Sequence, residues 1–212
     1  MSRSRTDKPP SKTVSDDEVR GLLDRYRCPV PFHAVRTRFL GNIASSVVAA
    51  SPMDTVAGLW GGELPAFDGL DTANELLRVL VMGLWNRLAR HQERNAPFRL
   101  LRIDIPATRE GLARIAGFIQ GLFGKEEGLA LPKRACRALE ALSEAGGLFN
   151  GVYEVAGNPT KPASAEDIVQ TRRHIRELTK VCEREIYEAV LSCTRERRQR
   201  LNSAPTKKPT LH

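Results

Sequence analysis

The chain has 212 residues, 41% of them hydrophobic and 27% charged, enough for one sizeable folded core. Its formal charge of +8 lies at the ends: residues 1–14 sum to +3, residues 195–212 to +5, and residues 15–194 hold equal numbers of acids and bases. A neutral body with basic ends excludes a uniformly basic DNA-binding domain, and the longest apolar run, around Val79 to Trp85, is far too short to cross a membrane.

Leu and Ala dominate while aromatics are only 6%, which favours helix. The opening "MSRSRTDKPPSKTV" has no periodicity and reads as a disordered basic arm over 1–14 rather than an apolar leader. Ser15 is a cap for a short helix with Asp16, Asp17 and Glu18 in its first turn, stopping before Cys28, Pro29 and Pro31. A second helix is predicted over Phe32 to Ala50, with Phe39, Leu40, Ile43, Val47 and Val48 inward.

Ser51 caps a third helix, with Pro52 at its first position and Asp54 in its first turn. Met53, Val56, Leu59 and Trp60 form its apolar face, and Gly61-Gly62 ends it through the left-handed conformation. Asp68 or Asp71 caps the next helix, which runs to about Gln92. Its stripe of Leu76, Leu77, Leu80, Leu84 and Leu88, broadened by Val79, Val81, Met82 and Trp85, predicts a central buried helix. "FRLLRIDIPA" reads as a short strand or an extended connector. Thr108 caps a helix to Phe123. Pro132 opens another from Lys133 to about Ala145, ended by Gly146-Gly147.

Residues 156–163, rich in Gly, Asn and Pro, read as a linker. Ser164, with Asp167 at the capping-box position, starts a long amphipathic helix over 164–200, and 201–212 frays as a disordered tail. Ile168, Ile175, Leu178, Cys182, Ile186, Ala189 and Cys193 share one helix face. On the opposite stripe lie Arg173, Arg176, Lys180, Arg184, Arg195 and Arg198, with Tyr187 among them. Such a row suits phosphate tracking, although Glu177 and Glu188 weaken its field. A merely solvated face and a surface for a protein partner or self-association are the competing readings.

Little else carries chemistry. "GFIQGLFGKEE" mimics a phosphate loop, but Ile119 stands where the first Gly belongs and Glu126 where Ser or Thr binds magnesium. The histidines, His33, His91, His174 and His212, form no zinc-protease or zinc-finger spacing. The cysteines at 28, 136, 182 and 193 form no C-x-x-C pair. They read as reduced thiols in a cytoplasmic protein of bacterial type, with Cys182 and Cys193 as core. No cofactor, metal ligand set or catalytic residue is assigned. The acids Asp54, Glu63, Asp68 and Asp71 read as caps and turn residues, with a metal-dependent site near Trp60–Asp71 as the alternative.

"FLGNIASSVVAASPMDTVAGLWGGELPAFDGLDTANELLRVLVMGLWNRL" resembles the YecA/YgfB-like proteins, on Phe39-Leu40, Pro52, Trp60, Gly61-Gly62, Phe67 and Asn86. The resemblance covers about residues 32–150. It implies an all-helical body, read here over 15–155, and brings no catalytic residue with it; the leading reading of function is a non-enzymatic binding or adaptor protein. The Cys-rich metal-binding tail of some members is missing, a basic helix standing in its place, and Thr37-Arg38 replace the usual His-Gly before Phe-Leu.

Overall fold

A computed structural model describes residues 14–45, 51–93, 98–100, 108–123, 129–156 and 164–203. The described residues are all-α, without a strand. The expected strand or connector at 98–107 lies mostly outside them, and 98–100 are not extended into a sheet. Of the arm predicted over 1–14, the linker over 156–163 and the tail over 201–212, residues 1–13, 157–163 and 204–212 also lie outside, while Ala156 closes one helix and residues 201–203 continue the last, because the helices run past the predicted breaks. No described helix is long and apolar enough to cross a membrane.

Helix α1 (Asp16–Arg25) begins where Ser15 Oγ accepts the Glu18 amide at 3.1 Å. It ends as the Cys28 amide reaches back to the Leu23 carbonyl, with Arg27 held in the left-handed region at φ +48°. Val14 belongs to the folded body, not to the arm. It is buried, and its side chain fills the space beside Gly83, where a Cβ would lie 2.6 Å from a Val14 methyl. Arg87 clamps the same strap by donating to the Val14 carbonyl at 2.8 Å and pairing with Asp16.

Helix α2 (Phe32–Ala44) is buried almost all round, Phe39 and Leu40 included. It stops six residues before the predicted Ala50, because Ser45 turns out at ψ 138°. The carbonyls left without an intrahelical partner at this end are met by a distant side chain: Arg197 donates to Ile43 O at 3.0 Å and to Ser45 O at 3.4 Å. Val47 and Val48 lie outside the described residues.

Helix α3 (Pro52–Ala57) carries a full capping box, with Ser51 and Asp54 exchanging bonds, and continues as a 3₁₀ turn (Gly58–Trp60). Gly61 at φ +86° and Gly62 at φ +116° end it. Val56 and Leu59 are buried as expected, but Met53 points to solvent. Trp60 anchors a neighbour other than the central helix: its indole N–H donates to the Tyr26 carbonyl at 3.0 Å, at the end of α1.

Helix α4 (Leu70–Leu77) starts from Gly69, so neither Asp68 nor Asp71 is the cap. Asp71 falls inside the first turn, where its charge still complements the helix end. A wide π-helical stretch (Arg78–Trp85) and α5 (Asn86–Glu93) continue the rod. Leu76, Val79, Leu80, Leu84 and Leu88 are buried. Met82 is 64% exposed, so the apolar girdle is not complete.

The tightest packing joins α2 to α6 (Thr108–Phe123). A Cβ on Gly121 would lie 2.0 Å from the Arg38 carbonyl oxygen, one on Gly117 2.7 Å from that of Ala34, and one on Gly41 2.2 Å from that of Phe118. The pairings 34 with 117 and 38 with 121 set the two helices parallel with backbones in contact. Helix α7 (Lys133–Ala156) passes straight through Gly146-Gly147, which do not end it. Continuation buries Phe149, whose ring lies 2.9 Å from the place of a Gly111 Cβ on α6. Helix α8 (Ala165–Ser203) packs chiefly on α7, and its last turns reach α2.

Candidate functional site

Ser164 and Asp167 form the predicted capping box at the start of α8, with the Asp167 amide 3.1 Å from Ser164 Oγ and the Ser164 amide 3.0 Å from Asp167 Oδ2. The inward face is core: Ile175, Cys182, Ile186, Ala189, Val190 and Cys193 are buried, with Ile168 and Leu178 half-buried. Buried Glu185 sits 3.1 Å from Arg134 of α7, and Glu188 takes the same guanidinium at 3.3 Å. The helix is therefore part of the body, fixed by apolar contact and by ion pairs that leave the outer face outward.

Arg173, Arg176, Lys180, Arg184, Arg195 and Arg198 are all exposed. At 1.5 Å per residue, Arg173 and Arg198 stand about 37 Å apart along the axis. Two of the six are engaged within the helix: Lys180 with Glu177 at 2.8 Å and Arg184 with Glu185 at 3.1 Å. The Lys180 hydrogen bond and charge pull the Glu177 carboxyl below its ordinary pKa, and Arg173 adds to the effect. Arg173, Arg176, Arg195 and Arg198 have no carboxylate within 4 Å among the described residues.

Tyr187 does not join them. It is half-buried and lines a cavity of about 20 Å³ with His91, Gln92, Phe98 and Thr194, room for a single water. The segment at 98–100 covers this flank, because Glu183 takes the Leu100 amide at 2.8 Å and Arg99 at 2.7 Å. A wheel with one apolar stripe places Tyr187 outside; a helix packed on two neighbours turns it in.

The residues that carry the resemblance serve packing. Phe39 meets Trp85 edge-on at 5.2 Å, and Phe67 meets Tyr26 at 5.6 Å. Phe39 and Leu40 are core, Pro52 opens α3, and the Asn86 amide lies 3.9 Å from Met82 Sδ. Among the acids of 51–71, Asp54 caps; Glu63, Asp68 and Asp71 are exposed. No three His, Cys, Asp or Glu side chains among the described residues gather as a metal site. Burial pushes the Cys182 thiol up to about 12 and the Cys193 thiol up to about 11, which makes both poor ligands and poor nucleophiles.

Sequence reading missed the cations buried between α2 and α6. Arg114 is 2% exposed and bonds Glu110 at 3.2 Å. Arg36 is half-buried on a helix that is otherwise largely core. The available signal was an arginine at every few positions of an apolar helix, in "FHAVRTRFL". No family model, curated protein or solved structure matches the chain.

Proposed function

We propose that this chain is a non-enzymatic helical binding protein of the YecA/YgfB-like type, acting in the bacterial cytoplasm, whose α8 contacts a polyanion such as nucleic acid or the ribosome. The observation that carries the reading is the division of α8: one face is committed to the core while six cations stand along about 37 Å of the other. A row on a helix anchored in a packed body holds its spacing, so phosphate contacts along it add. The basic residues beyond Arg195 extend the same field towards the C-terminus. Four free cysteines fit a reducing compartment, and the placement of Phe39, Leu40, Trp60 and Phe67 at packing contacts fits the family resemblance.

Removing α8 is a poor test, since it strips Ile175, Cys182, Ile186 and Ala189 from the core. Substitution of the outer face keeps the fold. Full-length protein is expected to co-purify nucleic acid that nuclease removes, and the combined variant Arg173→Gln, Arg176→Gln, Lys180→Gln, Arg184→Gln is expected to lose it. Equal nucleic acid on both proteins refutes the reading. Retention of a protein after nuclease moves the assignment to a protein partner or self-association.

A further inference from the structure

Four guanidinium groups, Arg20, Arg36, Arg87 and Arg114, and the His33 imidazole gather where α1, α2, α5 and α6 meet. Three carboxylates answer them. Asp16 pairs with Arg87, Asp17 with Arg20 at 2.8 Å, and Glu110 with Arg114 at 3.2 Å and His33 Nδ1 at 3.5 Å. Arg36 differs. No described carboxylate lies within 4 Å of it, and its buried Nε has no hydrogen-bond partner. Its guanidinium carbon lies 5.1 Å from the Phe98 ring centre and 6.0 Å from that of Phe32, while Arg20 lies 4.5 Å over the same Phe32 ring. Two cations thus share one aromatic ring. His33 Nε2 is likewise buried without a partner.

Rings that exclude water strengthen the field of a guanidinium and leave its N–H groups in need of acceptors. A water would satisfy a donor but not the charge. An oxyanion satisfies both, and the planar fork of arginine fits one in a bidentate way. We propose that Arg36, with Arg20 beside it, binds a phosphate-type oxyanion at the junction of α1, α2 and α6. The site borders solvent: the Arg20 side chain is 45% exposed and Glu110 44%. Phe32 and Phe98 are themselves buried, so no ring face is open to stack a base, and recognition is of the phosphoryl group alone. Burial disfavours the charged form of Arg36, Asp16 opposes this, and Arg87 and Arg20 act with burial, so a bound dianion offsets the desolvation of the guanidinium. The site uses none of the α8 cations and stands independently of the proposed polyanion face.

The test is calorimetric titration of full-length protein with inorganic phosphate at constant ionic strength, together with thermal unfolding. Saturable one-to-one binding is expected. At phosphate about tenfold above Kd, Tm is expected to rise by about 3–6 °C. Arg36→Gln is expected to weaken binding at least about tenfold and, without phosphate, to unfold no lower than the parent, since it removes an uncompensated cation. Arg20→Gln, at a more exposed position, is expected to weaken binding with the fold intact. A 5′-mononucleotide as second probe separates sources: tighter binding than inorganic phosphate points to the phosphoryl group of a larger ligand, and equal or weaker binding to free phosphate. Absence of saturable binding by either probe, or parent-like binding by both variants, overturns the proposal.

Discussion

The Cα of Gly121 faces the carbonyl of Arg38 so closely that a Cβ would lie 2.0 Å from its oxygen. The obstacle is backbone of a buried helix, which has no rotamer by which to yield. Gly121→Ala is therefore expected to lower unfolding free energy by about 3 kcal/mol, despite the roughly 1 kcal/mol that Ala gains over Gly in a helix. Gly147 has nothing within 4 Å of its Cβ position, so Gly147→Ala is expected to raise stability by up to about 1 kcal/mol. A urea midpoint for Gly121→Ala at or above the parent's would contradict the close α2–α6 contact.

Arg27 occupies the left-handed position after α1, at φ +48°, where glycine has no steric cost. Arg27→Gly is expected to stabilise the chain by about 1 kcal/mol, read as a higher urea midpoint at unchanged slope.

Arg197 joins the end of α8 to the end of α2 through the Ile43 and Ser45 carbonyls. Arg197→Met keeps the aliphatic stem and removes both donors. A loss of about 1–3 kcal/mol is expected, with amide exchange at the last turn of α2 faster than in the parent. Unchanged exchange there would remove Arg197 from its capping role.

Cys182 and Cys193 give a pH dependence with a definite sign. Each thiol ionises near its ordinary value when unfolded, but only near about 12 and about 11 when folded. Between these values the folded chain retains protons that the unfolded chain releases, so stability falls as pH rises. Each thiol contributes a slope approaching about 1.4 kcal/mol per pH unit in that window. Replacing both with Ala is expected to flatten the decline above pH 9. In the native protein at neutral pH, exposed Cys136 is expected to react with a thiol reagent long before either buried group.

Helix starts were the most legible feature. Ser15, Ser51 and Ser164 announce themselves because a capping side chain acts within its own four residues. Helix stops were less so. Gly61-Gly62 and Gly146-Gly147 look alike in sequence, yet only the first pair turns left-handed; the second is carried through because Phe149 has a site on α6 to fill. Gly117 and Gly121 fall in the stretch that mimics a phosphate loop, whereas their spacing of four serves backbone contact with α2, a partner far away in sequence. The exposure of the six α8 cations follows from the helix period, whereas Tyr187 turns inward because the segment at 98–100 packs against a second flank. The setting of Arg36 is not legible in the sequence, because it arises only once α1, α5 and α6 surround the side chain.

The most direct test of the polyanion face is fluorescence anisotropy of a labelled duplex titrated with full-length protein across a salt series. The parent is expected to bind with an affinity that falls steeply with salt. The variant with Arg173, Arg176, Lys180 and Arg184 all changed to Gln is expected to bind more weakly, its log–log salt slope smaller by up to about 3.6 for four lost phosphate contacts. Identical affinity and slope for the two proteins would contradict the assignment of α8 as the binding surface.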